Sequence, residues 1–199
     1  MNCPHCHVPW KYHYEYCPDC RRNYGGAVFP AKQTETELAD IDALILRIQE
    51  AFVEVSRGDG ETLHQACLED FYDTDEPEWI TAGLKDPEEH WSDVPDWKLE
   101  SGSTSLYYFN VAGWQFYLPA FMCWSLRNWR ASDTITADSV IWNLTLSGQG
   151  DRASERYASL NRDQSEVVCS FLYFFDRYSG DVDARIAIES YWHKFKCLV

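Results

Sequence analysis

Two Cys-x-x-Cys pairs at the start of the chain constrain its folding more than any other feature. They are Cys3-Pro4-His5-Cys6 and Cys17-Pro18-Asp19-Cys20, and ten residues separate them. Four thiolates in two close pairs can surround a tetrahedral Zn²⁺ and leave no coordination position open for a substrate. A closed site of this kind stabilises a fold and performs no reaction. The spacing therefore predicts a structural zinc ribbon over residues 1–24, with the ligands Cys3, Cys6, Cys17 and Cys20.

Two other chemistries are open to the same cysteines, redox exchange and iron binding. Redox Cys-x-x-Cys motifs usually occur as one pair on a strand-to-helix turn, so two pairs favour a metal. A four-thiolate site also binds iron, and the sequence leaves zinc and iron both open. The segment between the pairs is long enough for a short β-hairpin, and its tyrosines and tryptophan favour strands. So short a unit has no core of its own, and we expect its folding to require the metal.

The charge of the chain restricts its partners. The formal net charge is −15 over 199 residues. Residues 1–30 contain three basic and two acidic side chains, so residues 31–199 carry −16. A body this acidic repels phosphate backbones and anionic lipid head groups, which argues against nucleic acid and membranes as partners. The charge instead favours a protein partner, in particular a basic one, and the oligomeric state stays open.

The remaining cysteines and the first residues bear on the compartment. The first ten residues lack the basic and apolar regions of a signal peptide. No apolar run approaches the roughly 20 residues that a membrane-spanning helix needs. Four cysteines lie scattered outside the ribbon, which is typical of reduced thiols and predicts a cytoplasmic protein. These are Cys67, Cys123, Cys169 and Cys197.

The rest of the chain is predicted to be a linker over 25–33 and an acidic all-α domain over 34–199. Thr34-Glu35-Thr36-Glu37 has the pattern of a capping box, and apolar residues then recur at three- and four-residue steps. This periodicity predicts a first helix from about Thr36 to Ser56. Residues 57–105 show no sustained period and predict a long irregular segment with short helical turns, held to the body by Trp79, Trp91 and Trp97.

Helical patterns resume after residue 105. Pro119 is predicted to divide an apolar stretch, because proline favours the first turn of a helix and disrupts a helix interior. Asn110, Asp138 and Asn161 are predicted helix caps. The resulting helices are Val111–Tyr117, Pro119–Trp129, Ser139–Leu146, an apolar helix after Asn161 that ends at Gly180, and Val182 to about Lys194.

The step Phe116-Tyr117-Leu118-Pro119-Ala120-Phe121 resembles the signature of an uncharacterised family of bacterial helical proteins. The order of the other features is also similar. An amphipathic first helix has a phenylalanine near its end (Phe52), a loop contains a histidine (His64), and a late helix contains Gln164, Val168, Phe171 and Leu172. The resemblance covers roughly residues 38–195 and leaves out the ribbon. It implies a helical fold and transfers no catalytic residue.

Candidate sites outside the ribbon are few. His64 and Cys67 have a spacing that metal ligands use, but two further ligands at a matching spacing are absent, so a buried cysteine and a hydrogen-bonded histidine are favoured. The six carboxylates between Glu69 and Glu78 do not follow a calcium-loop pattern. The sequence contains no nucleophile motif and no phosphate-binding glycine loop, so no catalytic residue is assigned.

Three functions follow from these patterns. The favoured one is a non-enzymatic, zinc-containing binding protein whose acidic helical body docks a protein partner, for example an immunity or inhibitor protein against a basic toxin or nuclease. The first alternative is an enzyme with a site in segment 61–100, where His64, Glu69, Asp70 or His90 would act as acid and base. The second alternative is nucleic-acid binding through the ribbon.

Overall fold

A computed structural model describes residues 33–69, 75–132 and 134–197. These residues form ten α-helices and three short 3-10 turns, and no strand is assigned among them. The fold is therefore mainly helical, as predicted. The helices are α1 Glu35–Ala51, α2 Leu63–Glu69, α3 Glu76–Gly83, α4 Asp96–Ser101, α5 Val111–Asn128, α6 Thr136–Asn143, α7 Leu146–Gln149, α8 Arg152–Ser159, α9 Arg162–Ser179 and α10 Val182–Ser190.

Helix α5 lies at the centre of the domain and packs against α1, α6 and α8. Thirteen of its 18 residues are buried, because neighbouring elements cover most of its surface. Pro119 lies inside this single helix, so the predicted break into two helices is wrong. An interior proline removes one backbone hydrogen bond and strains the preceding turn. Burial of the apolar side chains on both sides of Pro119 outweighs that local preference, because the helix could not bend away without exposing them.

The ends of helices α1, α9 and α10 follow local sequence signals. The Thr34 hydroxyl accepts the Glu37 amide at 3.1 Å, and Asn161 forms a complete capping box with Gln164. Gly180 ends α9 in the left-handed conformation with φ 69°, which glycine adopts without strain. Asp181 then caps α10 by accepting the Ala184 amide at 2.9 Å. The predicted caps at Asn110 and Asn161 are confirmed.

Helix α1 ends at Ala51, five residues before the predicted Ser56. The apolar stripe continues past that end, and Phe52 is fully buried although it lies outside the helix. The other end of α1 is tied to the end of α5 by a buried ion pair. Both Glu37 carboxylate oxygens accept from the Arg130 guanidinium, at 2.7 and 3.1 Å, and the guanidinium carbon lies 4.0 Å from the centre of the Trp129 ring.

The segment 57–105 contains helices α2, α3 and α4 and the 3-10 turn Trp91–Asp93. Trp91 pins the segment to the body, because its buried ring donates from Nε1 to the Phe52 carbonyl at 2.9 Å. Trp97 does not pin the segment, since its side chain is 60% exposed. Gly60 and Gly113 lie against each other so closely that a Cβ added to Gly60 would approach the Gly113 nitrogen to 2.5 Å.

The C-terminal residues correct one prediction. Cys169 on α9 and Cys197 form a disulfide, with their Cα atoms 5.1 Å apart, so these two cysteines are not the reduced thiols that the sequence suggested. Trp192 and Phe195 fold the chain back against α9 and bring the two cysteines together. Their separation of 28 residues carries no local signal of pairing. Cys123 is a buried thiol, and burial raises its pKa to about 12.

The ribbon over residues 1–24, with Cys3, Cys6, Cys17 and Cys20, lies outside the described residues, as does the linker up to residue 32. Among the helices of the described ranges, none combines the length and apolar character that crossing a membrane requires.

Candidate functional site

His64, the histidine that the sequence singled out, belongs to a buried charged network centred on Asp86. One Asp86 oxygen accepts the His64 amide at 2.8 Å, and the other lies 2.9 Å from both His64 Nδ1 and Lys98 Nζ. Lys98 also donates to the Lys85 carbonyl at 2.9 Å and to Glu88 at 2.6 Å. Helix α2 contributes His64 and α4 contributes Lys98, so the network joins two helices through the loop that carries Asp86 and Glu88.

The electrostatics of this network favour its charged form. Burial alone would raise the pKa of Asp86, but hydrogen bonds from the His64 amide, Lys98 and the His64 ring hold that pKa below its ordinary value. Burial would likewise lower the pKa of Lys98, yet its bonds to Glu88 and Asp86 raise it. The three ammonium hydrogens of Lys98 have three acceptors, so the lysine is fully used. The network therefore links α2 to α4 through buried hydrogen bonds and ion pairs.

The sign of the Asp86 shift gives a prediction. A pKa that is lower in the native than in the unfolded state stabilises the fold above the unfolded value, near 3.8, and this contribution is lost as the pH falls through the native value. We expect the difference in unfolding free energy between the wild type and Asp86→Asn to be constant above about pH 5 and to shrink below about pH 4. Urea unfolding at stepped pH measures it.

Asp96→Asn is the matched control, because Asp96 forms an ion pair with Arg127 in which both side chains are about half exposed. Its difference from the wild type should be small at every pH. A difference for Asp86→Asn that persists unchanged to about pH 2 would contradict the assignment of the shift to the buried network.

The other acid–base candidates do not converge on His64. The His90 ring contacts the Ser92 hydroxyl at 2.7 Å and the Val53 carbonyl at 3.4 Å, and it shares no partner with His64. Glu69 ends α2 as an exposed side chain, and Asp70 lies outside the described residues. Within the described ranges, no group of three or more histidine, cysteine or acidic side chains has the geometry of a metal site. His64 and Cys67 belong to no such group among these residues.

An open pocket lies elsewhere, between the 3-10 turn Ser105–Tyr107, helix α6 and the start of α10. Its volume is about 550 Å³, within the range of about 300–1,000 Å³ typical of ligand sites. Tyr107, Tyr108, Trp142 and Ile135 supply apolar walls, and Asp138 and Asp183 supply carboxylates. Trp142 is 43% exposed and Tyr107 is 36% exposed, so these rings present part of their surface to an incoming group.

Buried arginine holds the aromatic wall in place. Arg156 on α8 is 1% exposed and donates to the carbonyl oxygens of Tyr107 and Phe109. Burial, reinforced by the neighbouring Arg152, lowers the pKa of Arg156 to about 10. Arg152 donates to the Tyr107 carbonyl at 2.7 Å, and its guanidinium carbon lies 5.3 Å from the centre of the Tyr107 ring. The 3-10 turn therefore presents Tyr107 from a rigid backbone.

The carboxylates of the pocket have surplus negative charge. Asp138 was predicted to cap α6, but α6 begins at Thr136 and Asp138 lies in its first turn. Within the described part of the chain, neither Asp138 nor Asp183 forms a hydrogen bond or an ion pair with its side chain. Partial desolvation, with repulsion from Asp181 and Asp183, raises the pKa of Asp138. A cation that enters the pocket would relieve this repulsion.

No local sequence pattern marks this pocket. Tyr107, Trp142 and Asp183 come from three segments that are far apart in the chain, and each alone is an ordinary surface residue. Only two local features hinted at it. Trp142 interrupts the polar face of a short helix, and Asp183 repeats a charge next to Asp181, which already caps α10.

The fold and the pocket together define an all-helical domain with an acidic, aromatic-lined recess on its surface. The chain belongs to DUF6714, a family of unknown function, which matches residues 40–196. This span agrees with the resemblance to an uncharacterised family over roughly residues 38–195. No curated protein and no solved structure matches the chain.

Proposed function

We propose that this protein is a non-enzymatic binding protein whose acidic helical body docks a basic protein partner. The supporting observation is how the charges are distributed over the described residues. Basic side chains are largely engaged within the domain, as Arg130 is with Glu37, Lys98 with Asp86, and Arg185 with Asp176. Many exposed carboxylates form no ion pair there, among them Glu50, Glu54, Asp59, Glu69, Glu89 and Glu100.

This imbalance leaves a surface whose available charge is negative. Such a surface attracts a basic protein from a distance and raises the rate of association. It also repels nucleic acid, so nucleic-acid binding through the ribbon is not the function we propose. An immunity or inhibitor protein that covers a basic toxin or nuclease is a concrete form of this proposal.

The experiment is identification and reconstitution of the partner. The tagged full-length protein is isolated from its native cells, and co-purified proteins are identified, produced separately and titrated against it. We expect a partner of basic isoelectric point whose dissociation constant rises at least tenfold between about 50 and 500 mM salt. A reconstituted complex whose affinity is independent of salt, or a nucleic acid as the bound species, would overturn the proposal.

We also propose that Cys3, Cys6, Cys17 and Cys20 bind one structural Zn²⁺. The spacing of the two pairs supports this, and such an ion would stabilise the N-terminal unit without taking part in a reaction. We expect elemental analysis of the purified protein to find about one zinc per chain, which Cys3→Ser with Cys17→Ser removes. Cys123→Ser is the matched control and should leave the zinc content unchanged. Iron in place of zinc, or no metal, would contradict the proposal.

A further inference from the structure

The pocket beside Trp142 combines two kinds of group that the domain already uses internally to hold arginine. At the junction of α1 and α5, the Arg130 guanidinium lies over the Trp129 ring and is paired with the Glu37 carboxylate. Near the C-terminal end of α9, Arg177 lies 5.0 Å from the centre of the Tyr178 ring and 3.4 Å from Asp40. Both arrangements place an aromatic face and a carboxylate around one guanidinium.

In the pocket the same two groups are present, and both rings keep exposed surface although the Tyr107 ring also contacts the Arg152 guanidinium. The Trp142 and Tyr107 rings have centres 5.9 Å apart and are tilted by 40°, so they do not stack flat on each other. Asp138 and Asp183 line the same cavity, and neither has a side-chain partner among the described residues. A ring face attracts a cation, and a planar guanidinium also pairs with carboxylates in a bidentate manner.

The N-termini of helices α6 and α10 lie at this pocket, and their dipoles by themselves would repel a cation. Asp181 offsets the dipole of α10, because it caps the helix by accepting the Ala184 amide. Asp183 adds a second carboxylate to the end that Asp181 already caps, and Asp138 lies in the first turn of α6, whose N-terminus has no side-chain cap. These carboxylates oppose the two helix dipoles, in keeping with a cationic occupant.

We propose that this pocket receives an arginine side chain from the protein partner. The guanidinium would have the Trp142 and Tyr107 rings on one side and the carboxylates of Asp138 and Asp183 on the other. Arginine is favoured over lysine because its planar, weakly hydrated guanidinium both stacks on rings and pairs with two carboxylates. The volume of about 550 Å³ exceeds a single side chain and leaves space for the neighbouring residues of a peptide segment. This inference rests on the proposed docking of a basic partner.

The test measures the binding of short fluorescent peptides to the full-length protein by anisotropy. The probe has two adjacent arginines in a neutral Gly/Ser sequence, and matched peptides contain lysine or citrulline, a neutral analogue of arginine. We expect saturable binding of the arginine peptide, at least fivefold weaker binding of the lysine peptide, and none of the citrulline peptide. Equal binding of the lysine and arginine peptides, or no saturable binding of the arginine peptide, would overturn the assignment.

Variants locate the binding. Trp142→Ala, and separately Asp138→Asn with Asp183→Asn, should each weaken the arginine peptide about tenfold. Trp97→Ala and Glu89→Gln are the matched controls, because neither residue lines the pocket. Trp97 is also more exposed than Trp142, at 60% against 43%. Both controls should change binding less than twofold. The carboxamide variants alter only exposed side chains, so they keep the test valid even if Trp142→Ala fails to fold.

The result separates this inference from the proposed function. If the reconstituted partner binds in a salt-dependent manner and neither Trp142→Ala nor the carboxamide variants weaken it, the docking stands and the pocket assignment is wrong. If no basic partner binds but the arginine peptide binds at the pocket, the pocket chemistry stands and the docking proposal is wrong.

Discussion

Replacing Lys98 by methionine is expected to lower the free energy of unfolding by about 3–5 kcal/mol. The Lys98 side chain is 6% exposed, and its ammonium group compensates the charges of the buried Asp86 and the largely buried Glu88. Methionine fills a similar volume but leaves both carboxylates in the interior without their partner. Removing one member of a buried ion pair costs more than the pair contributes, because the remaining charge is desolvated. Urea unfolding followed by circular dichroism measures the change.

Two comparisons make the Lys98 experiment specific. Arg127→Ala removes an ion pair with Asp96 whose side chains are 50% and 57% exposed, and it should cost less than about 1 kcal/mol. Lys98→Met combined with Asp86→Asn and Glu88→Gln should recover part of the loss, since no uncompensated charge then remains. A loss below about 1 kcal/mol for Lys98→Met alone would show that the network does not stabilise the fold.

Truncation of Trp192 to alanine is the second large effect, and we expect a loss of about 3–5 kcal/mol. The Trp192 ring is fully buried, its centre lies 4.8 Å from that of Tyr157, and its Nε1 donates to the Leu144 carbonyl at 2.8 Å. The substitution leaves a cavity where the end of α6 meets the 3-10 turn after α10. It also leaves the Leu144 carbonyl without that donor.

The same substitution should also disturb the shape of the pocket, because α6 and the start of α10 form its walls. We expect Trp192→Ala to weaken the arginine peptide even under conditions where the variant is folded. Trp97→Ala again serves as the control, since an exposed tryptophan should cost less than about 1 kcal/mol. A Trp192→Ala variant with the same midpoint of urea unfolding as the wild type would contradict the packing described for this junction.

The parts of the fold that the sequence predicted correctly depend on neighbouring residues. Thr34 and Asn161 cap helices because their side-chain oxygens reach amides three residues ahead, and Gly180 ends a helix because it tolerates a positive φ. Pro119 shows that tertiary packing can override such a local preference. Its preference for a helix start is small beside the burial of the residues around it, so tertiary packing continues the helix through it.

The network and the pocket escaped prediction for a related reason. The sequence singles out His64, but Asp86 and Lys98 resemble ordinary members of an acidic, irregular segment, and only folding removes them from water. Cys169 and Cys197 likewise meet only because the residues after α10 return to α9.

The sequence by itself determined the helical class, several helix ends, the negative charge of the body and the cysteine spacing that predicts zinc. These properties need only the order of residues along the chain, because caps, periodicity and net charge act locally or by summation. The tertiary structure alone decided which charges are buried and paired, and it brought Tyr107, Trp142, Asp138 and Asp183 to one recess. Contacts between distant segments depend on how the helices pack, and no local pattern records that packing.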